Sequence, residues 1–220
     1  KKAYPNATTE LKWSNPLELL VATILSAQCT DERVNQVTEQ LFKKYRTAED
    51  YANADLETLQ EEIRPTGFYR NKAKTLVKVG QVLAEEYGGQ VPESMDELLK
   101  LPGVQRKTAN VVLSHAIRPN DPEGIVVDRH VVRVVHRLGL VPKTVTKPDK
   151  IEERLMELYD KKHWVFIGDA LVLHGRYVCT ARNPRCEDCV LESVCDKVGV
   201  EKAAKKSEKK SGAKKKAASG

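Results

Sequence analysis

The sequence has no apolar stretch as long as the roughly 18 residues that a membrane-spanning helix needs, so we expect no membrane span. It shows no secretion-signal pattern at its N-terminus as given. It also lacks the alternation of apolar and polar residues that marks a half-buried strand. With 220 residues, 40% of them hydrophobic, the chain can bury a core in one or two domains. We therefore predict an all-α protein.

An excess of positive charge is absent from most of the chain. The formal net charge is +6, but residues 201–220 contain eight Lys and two Glu and account for all of it. A nucleic-acid surface on residues 1–200 must therefore come from the placement of charges rather than from their excess. The low-complexity tail at 201–220 is predicted to be disordered and to add weak, salt-dependent attraction to DNA, with a solubilising role as the alternative.

Glycine and proline separate a series of helical patterns. Polar N-cap residues mark where several helices should begin: Asn15, Thr30, Asp55 and Asp128. Ser94 and Glu97 have the spacing of a capping box and predict another start. Residues 106–117 read as one helix. Residues 164–173 are almost wholly apolar, which predicts a central helix covered on all sides.

A helix, a tight turn and a second helix are predicted between residues 98 and 111. The turn is Leu101-Pro102-Gly103-Val104, and it would point backbone N–H groups outward at a helix start, where the helix dipole also favours an anion. Glycine allows a phosphate to approach the bare backbone, and Arg106 and Lys107 add positive charge. An ordinary connection with a solvated basic pair is the alternative, and the local pattern does not decide between them. The candidate DNA-contacting residues here are Leu101, Gly103, Val104, Gln105 and Arg106.

Four of the five cysteines lie within a short segment. Cys179, Cys186, Cys189 and Cys195 have the spacing C-x6-C-x2-C-x5-C, which suits a [4Fe–4S] cluster or a tetrahedral zinc ion. Spacing alone leaves both open, although only one Cys-x2-Cys pair is present, where zinc sites usually show two. The same loop carries two arginines, Arg182 and Arg185, which would either grip phosphates or balance the charge of a cluster.

For three further residues, the sequence leaves a functional and a structural role open. Arg133 and Arg137 lie one turn apart on the polar face of the helix after Asp128, where they would contact DNA or face solvent. His174 is interpreted as a core histidine with its hydrogen bonds satisfied rather than as a metal ligand.

Several motifs together resemble the endonuclease III family of helix-hairpin-helix DNA glycosylases. They are SAQCTD (26–31), LPGVQRKTAN (101–110), VVDRH (126–130), LHGRYVC (173–179) and the cysteine spacing. The resemblance covers roughly residues 5–198. It implies a two-domain helix-hairpin-helix DNA glycosylase fold, with a six-helix barrel over 14–122 that includes the hairpin at about 94–117. Residues 1–13 and 123–200 would form the second domain and hold a [4Fe–4S] cluster.

The resemblance also implies roles for individual residues. Lys107 matches the family's nucleophile and Asp128 its catalytic aspartate. Gln28 matches the residue that enters the gap left by an extruded base, and Phe68 stands where the family often has a second, leucine wedge. His130 would contact a phosphate near the lesion or merely cover the start of its helix.

The sequence departs from the family pattern at two of these motifs. Gln105 replaces the usual second glycine of the hairpin and would strain or reshape the phosphate anchor if that position needed a positive φ or close approach of a phosphate. Arg129 replaces a threonine after the catalytic aspartate, and the stretch from Lys107 to Asp128 is slightly longer than usual. These changes bear on substrate preference and rate more than on the reaction type.

A lysine nucleophile predicts a bifunctional enzyme. Attack of an amine on C1′ yields an imine after base loss, and that imine permits β-elimination of the 3′ phosphate. The expected substrate is double-stranded DNA with oxidised pyrimidines or abasic sites, acted on by a monomer in a bacterial cytoplasm, associated with the nucleoid. The alternatives are a monofunctional adenine or mismatch glycosylase of the same superfamily and a non-enzymatic DNA-binding module.

Overall fold

The computed structural model describes residues 2–200. These residues form α-helices, three 3-10 helices and one π-helical segment, and they contain no strand, which confirms the all-α prediction. No helix within the described residues combines the length and apolar character needed to cross a membrane. The predicted disorder of the tail at 201–220 lies outside the described residues.

The chain divides into two compact units. One is Thr8–Gly124, and the other combines Lys1–Ala7 with Ile125–Gly220, of which residues 2–7 and 125–200 are described. The barrel and cluster-domain boundaries expected from the sequence stay predictions.

Seven α-helices make up the unit Thr8–Gly124. They are α1 (Pro16–Leu25), α2 (Asp31–Lys44), α3 (Ala48–Ala52), α4 (Leu56–Ile63), α5 (Tyr69–Glu86), α6 (Met95–Leu98) and α7 (Arg106–Val112). The long helix α5 packs against α3 and α4, and α1 packs against α7. A Cβ at Gly80 of α5 would lie only 2.6 Å from the backbone N of Ala52, so the glycine allows α3 and α5 to approach closely.

The predicted N-caps of this unit are confirmed where the cap is a local hydrogen bond. The side chains of Asn15, Thr30 and Asp55 accept from the third residue after each of them. The Ser94 box is only half formed, because Ser94 accepts from the Glu97 N–H while the Glu97 carboxylate accepts from the Ser94 hydroxyl.

A complete capping box lies instead at the start of α3, a helix that the sequence reading missed. The Thr47 hydroxyl accepts from the Asp50 N–H, and the Asp50 carboxylate accepts from the Thr47 N–H. The stretch 106–117 also differs from the prediction, because α7 ends at Val112 and a π-helical segment, Leu113–Ile117, follows it.

The described residues of the other unit contain α8 (Arg129–Arg137), α9 (Pro148–Leu158) and α10 (Trp164–Tyr177). Buried aliphatic residues of α8, α9, α10 and the adjoining segments form the core: Ile125, Val127, Val131, Val134, Val135, Val141, Ile151, Leu155 and Leu171. The prediction that residues 164–173 are covered on all sides is wrong. Only Gly168, Asp169 and Leu171 are buried in that stretch, because α10 packs on α8 along one side and its remaining apolar side chains keep partial exposure.

Candidate functional site

The hairpin turn contains one glycine whose backbone is in the left-handed conformation. The Val104 N–H donates to the Leu101 carbonyl at 3.1 Å, and Gly103 between them has φ +73°, a conformation in which L side chains are strained. Leu101 and Val104 are buried, so a DNA contact at these two residues has to use the backbone rather than the side chain.

Gln105 does not strain this turn. Its backbone is extended, with φ −110° and ψ 168°, and it occupies the N-cap position of α7 without a capping hydrogen bond from its side chain. The strain expected if this position needed a positive φ is therefore absent, whereas the effect of Gln105 on close approach of a phosphate stays a prediction. The Gln105 side chain is exposed next to the hairpin.

Lys107 is the second residue of α7 and follows the hairpin turn directly. Its side chain is half-buried, as is that of Arg106 before it. The first turn of a helix leaves backbone N–H groups without partners inside the helix, and its dipole adds positive potential. Lys107 therefore stands where an anionic backbone would be attracted, on a helix held in place by α1.

The two expected wedge residues share an unusual backbone conformation. Gln28 has φ 55° and Phe68 has φ 50°, and both lie in the left-handed region that non-glycine residues seldom enter. Phe68 is 62% exposed although it is a large aromatic residue, and Gln28 is also exposed. Left-handed residues of this kind cluster at functional sites, and here both present their side chains outward.

Asp128 is the N-cap of α8. Its Oδ1 accepts from the His130 N–H at 2.7 Å and from the Val131 N–H at 2.9 Å, so the capping role expected for it is confirmed. Within the described residues, Oδ2 accepts no hydrogen bond from the protein. One carboxylate oxygen therefore fixes the side chain while the other is left for a second task.

His130 is half-buried in the first turn of α8. Its Nδ1 lies 3.1 Å from a guanidinium nitrogen of Arg133. Burial lowers the pKa of His130, while the nearby Asp128 carboxylate acts in the opposite direction. A neutral imidazole in this position can donate one hydrogen bond to a phosphate oxygen.

The four cysteines of the motif line one cavity, together with Arg137 and His174. Three of the sulfurs are within reach of N–H donors. Arg137 Nη1 lies 3.3 Å from Cys179 Sγ, and the backbone N–H groups of Leu191 and Lys197 lie 3.4 Å from the sulfurs of Cys189 and Cys195 respectively. Donors aimed at sulfur suit thiolates that ligate iron, because such hydrogen bonds stabilise the negative charge.

The residues of this cavity fit a group held by four thiolates, because all four cysteines of the motif line it. Within residues 2–200, no group of three or more His, Cys, Asp or Glu side chains is placed to hold a metal ion.

Arg133 and Arg137 donate hydrogen bonds to backbone carbonyls, which the sequence did not predict. Arg133 donates to the carbonyls of Gly175 and Cys179, and Arg137 donates to three consecutive carbonyls, those of Cys179, Thr180 and Ala181. Neither of the two predicted roles, DNA contact or solvated face, describes these bonds. Both arginines tie α8 to the beginning of the cysteine loop.

His174 agrees with its prediction as a satisfied core histidine. It is 3% exposed, its Nδ1 is hydrogen bonded to the Tyr4 hydroxyl at 3.1 Å, and its Nε2 lies 3.5 Å from Cys189 Sγ. Arg182 and Arg185 are exposed on the cysteine loop, and Arg185 also donates to the Tyr177 carbonyl at 2.5 Å.

The predicted site residues are thus distributed over both units. The hairpin, Lys107, Gln28 and Phe68 belong to Thr8–Gly124, whereas Asp128, His130 and the cysteine loop belong to the other unit. The expected pairing of Lys107 with Asp128 stays a prediction.

Two family profiles match the chain. Residues 21–161 match the HhH-GPD superfamily of base excision DNA repair proteins, and residues 179–195 match the iron–sulfur binding domain of endonuclease III. The second match covers all four cysteines of the motif.

Individual relatives match over most of the chain. Endonuclease III of Synechocystis sp. is 49% identical over 195 residues, which cover 89% of this chain and 87% of the relative. Endonuclease III of Bacillus subtilis is 48% identical over 87% of this chain and 86% of the relative. The corresponding enzyme of Escherichia coli K12 is 41% identical, covering 87% of this chain and 89% of the relative.

Solved structures give the same picture. A non-covalent endonuclease III–DNA complex superposes with a TM-score of 0.84 at 45% identity, covering 89% of this chain and 90% of that one. A trapped endonuclease III–DNA covalent intermediate matches to the same extent. A thermostable thymine-DNA glycosylase, at 24% identity and a TM-score of 0.74, shares the fold.

Proposed function

The chain belongs to the endonuclease III family of the HhH-GPD superfamily, and on that premise we propose that Lys107 is its nucleophile and Asp128 its catalytic partner. The protein is a DNA glycosylase and AP lyase of base excision repair, and it holds a [4Fe–4S] cluster. The observation that supports the residue assignment is the position of Lys107. Lys107 is a half-buried residue in the first turn of the helix that follows the hairpin.

The reaction begins with attack on the sugar. The nitrogen lone pair of Lys107 forms a bond to C1′, the bond from C1′ to the base breaks, and the base leaves with a proton. The amine must be neutral to attack. An unperturbed lysine, with a pKa of about 10.4, is neutral in only roughly 1 molecule in 2,500 at pH 7. The site must therefore favour the neutral amine at the moment of attack.

Strand cleavage follows from the covalent bond. The attached nitrogen loses its proton, the sugar ring opens, and the C1′ imine draws electrons from C2′. A base removes a C2′ proton, the C3′–O bond breaks, and the 3′ phosphate departs. Hydrolysis of the imine then frees the enzyme. A carboxylate nucleophile forms no such imine, so base removal coupled to β-elimination requires an amine.

Asp128 has two possible tasks in this sequence, removal of a proton from Lys107 during attack or stabilisation of positive charge on the sugar. Its capping bonds hold Oδ1, so Oδ2 is the oxygen assigned to either task. The carboxylate by itself would favour the charged form of a lysine beside it, which is why its role belongs to the attack and not to the resting state.

The damaged nucleotide has to leave the helix stack before C1′ is accessible. Gln28 and Phe68 are assigned to the gap that it leaves. Phe68 offers an exposed aromatic ring, and apolar wedges of this kind stabilise kinked DNA. Damaged bases that stack poorly are cheaper to extrude, which favours lesions over normal bases.

The remaining contacts anchor the phosphate backbone. Backbone groups of the hairpin at Leu101, Gly103 and Val104 would act with the side chains of Gln105, Arg106, His130, Arg182 and Arg185. The four cysteines Cys179, Cys186, Cys189 and Cys195 are assigned as cluster ligands. When bound, the cluster provides a rigid, covalently linked support for the loop that carries the two arginines, and none of the steps above passes through it.

Borohydride trapping tests the nucleophile. Reduction of the imine should leave a stable protein–DNA adduct with wild type and none with Lys107→Gln, which should still bind the DNA. Lys100→Gln is the matched control, because it removes one positive charge from an exposed hairpin residue and should trap normally. Trapping by Lys107→Gln at the wild-type level would show that another amine attacks.

The same assay separates the two alternative functions. A monofunctional glycosylase would release the base without an adduct, and a binding module would bind without releasing anything. Oxidised pyrimidines are the proposed lesions. A panel of duplexes with defined lesions tests this proposal, which fails if oxidised pyrimidines are cleaved no faster than normal ones.

We also propose a source, an oligomeric state and a cellular location for the enzyme. The relatives named above are bacterial enzymes, which supports a bacterial origin. We propose that the protein acts as a monomer on chromosomal DNA in the cytoplasm, associated with the nucleoid. Fluorescence microscopy of a tagged chain would test the nucleoid association. An even distribution through the cell would contradict it.

A further inference from the structure

Lys72 is a buried lysine that the reaction above does not use. It lies in the first turn of α5 and its side chain is 6% exposed. Burial lowers the pKa of this amine, and lysines are seldom buried without partners that satisfy the head group. The partners here are two backbone carbonyl oxygens, those of Leu25 and Thr66, each 2.8 Å from Nζ.

Each of these carbonyls ends a helix. Leu25 is the last residue of α1, and Thr66 is the last residue of the 3-10 helix Arg64–Thr66. Terminal carbonyls of a helix have no partner inside it, and a cationic side chain is favourable at that end of the dipole. One amine therefore caps two helix ends that are about 40 residues apart in sequence.

Each of these helix ends is followed within three residues by a non-glycine residue in the left-handed conformation. Gln28 follows Leu25 by three residues, and Phe68 follows Thr66 by two. Both have positive φ, which costs free energy unless the surroundings hold the conformation. The Lys72 backbone N–H also donates to the Phe68 carbonyl at 3.1 Å, so Lys72 holds the second segment by both its main chain and its side chain.

We propose that Lys72 is a positioning residue for DNA distortion, because its amine binds together the two segments that present Gln28 and Phe68. The inference rests on the proposed role of these two side chains in filling the gap left by an extruded nucleotide. Loss of the amine frees two buried carbonyls, and the two segments then no longer share a fixed point. Nucleotide extrusion should suffer while the chemistry at Lys107 is unchanged.

The test compares two substrates within each variant. One is a fully paired duplex with an abasic site, and the other carries the same site in a short unpaired bubble, where extrusion needs no work from the protein. Lys72→Met keeps the length of the chain and removes the donors. We expect it to lower cleavage of the duplex relative to the bubble by about tenfold, which corresponds to about 1.4 kcal/mol.

A general loss of folded protein cannot produce this result, because it reduces both rates equally and leaves their ratio unchanged. Lys72→Gln, which keeps two donors on a shorter side chain, provides a second variant if Lys72→Met folds poorly. Lys78→Met is the matched control, since Lys78 is exposed on the same helix, and its ratio should equal that of wild type. An unchanged ratio in both Lys72 variants overturns the proposal.

A fluorescence measurement separates this inference from the assignment of Lys107. A 2-aminopurine next to a non-cleavable abasic analogue brightens when the stack opens, and the rise is recorded with Lys107→Gln, which needs no catalysis. Adding Lys72→Met should remove most of the rise at saturating protein. A persistent rise contradicts the role of Lys72, whereas a failure of the Lys107 assignment would appear only in trapping.

Discussion

Gly103→Ala should destabilise the hairpin in two separable ways. The glycine has φ +73°, so an alanine there is held in the left-handed conformation. A Cβ at this position would also lie 2.8 Å from Thr75 Cγ2, which is closer than carbon atoms normally approach. The contact is with the end of a side chain on α5, so part of the crowding can be relieved by movement of Thr75.

The expected loss of stability on Gly103→Ala combines three contributions to the free energy of unfolding. The left-handed conformation costs roughly 1–2 kcal/mol, overpacking adds roughly 1–3 kcal/mol, and the stiffer unfolded chain returns roughly 0.4–1 kcal/mol. Gly103→Ala should therefore lower the free energy of unfolding by about 1–5 kcal/mol. The same change should weaken DNA binding, because it moves the proposed phosphate anchor.

Urea unfolding followed by far-UV circular dichroism measures this loss, and two comparisons divide it. Gly88→Ala is the control for backbone strain alone, since Gly88 has φ +56° and nothing lies within 4 Å of its added Cβ. It should lose about 1 kcal/mol. Thr75→Ser removes the crowding methyl group, so Gly103→Ala combined with Thr75→Ser should recover part of the loss in a double-mutant cycle. The reasoning is refuted if Gly103→Ala loses no more stability than Gly88→Ala, or if Thr75→Ser recovers nothing.

Three further predictions concern single side chains. Asp128→Asn should keep the cap and the stability of α8 but lower cleavage of abasic DNA by about 100-fold or more. Asp128→Ala should in addition lower the free energy of unfolding, measured in urea, by about 1 kcal/mol. Cleavage by Asp128→Asn at the wild-type rate would contradict the catalytic role. Cys189→Ser should reduce the brown colour and visible absorbance of the purified protein and lower its melting temperature, and unchanged absorbance would remove Cys189 from the ligand set. Thr47→Ala breaks the complete capping box of α3. It should lower the free energy of unfolding by about 0.5–2 kcal/mol without changing cleavage kinetics. A free energy of unfolding equal to that of wild type would show that the box contributes nothing to stability.

Helix starts were predictable because their causes are local. Asn15, Thr30, Asp55 and Asp128 each accept hydrogen bonds from N–H groups two or three residues ahead, so the sequence alone contains both partners. The short helix α3 has the same kind of signal at Thr47 and Asp50, which a closer reading could have found.

Other features depend on parts of the chain that are distant in sequence. Arg133 and Arg137 bond to carbonyls more than 40 residues away, and no local pattern distinguishes such arginines from solvated ones. The same holds for Lys72, whose partner at Leu25 lies 47 residues away. The exposure of α10 likewise depends on which neighbours the fold supplies, whereas the apolar run alone suggested a helix covered on all sides.

In the candidate site, too, some features could be predicted from the sequence and others could not. The order and spacing of several motifs, including the hairpin and the four cysteines, identified the family, and the family implied the [4Fe–4S] cluster that cysteine spacing alone had left open against zinc. The left-handed backbones of Gln28 and Phe68 were not foreseen, since neither residue type signals a positive φ. The negative φ of Gln105 could not be predicted either, because glycine, which the family has at this position, adopts both signs of φ.

The central claim is that the amine of Lys107 bonds to the sugar. Borohydride reduction in the presence of an abasic duplex, followed by nuclease and protease digestion and mass spectrometry, identifies the residue that carries the sugar remnant. The account predicts the remnant on the peptide that contains Lys107 and on that lysine. A remnant on any other lysine or on the N-terminal amine, with Lys107 unmodified, would contradict it.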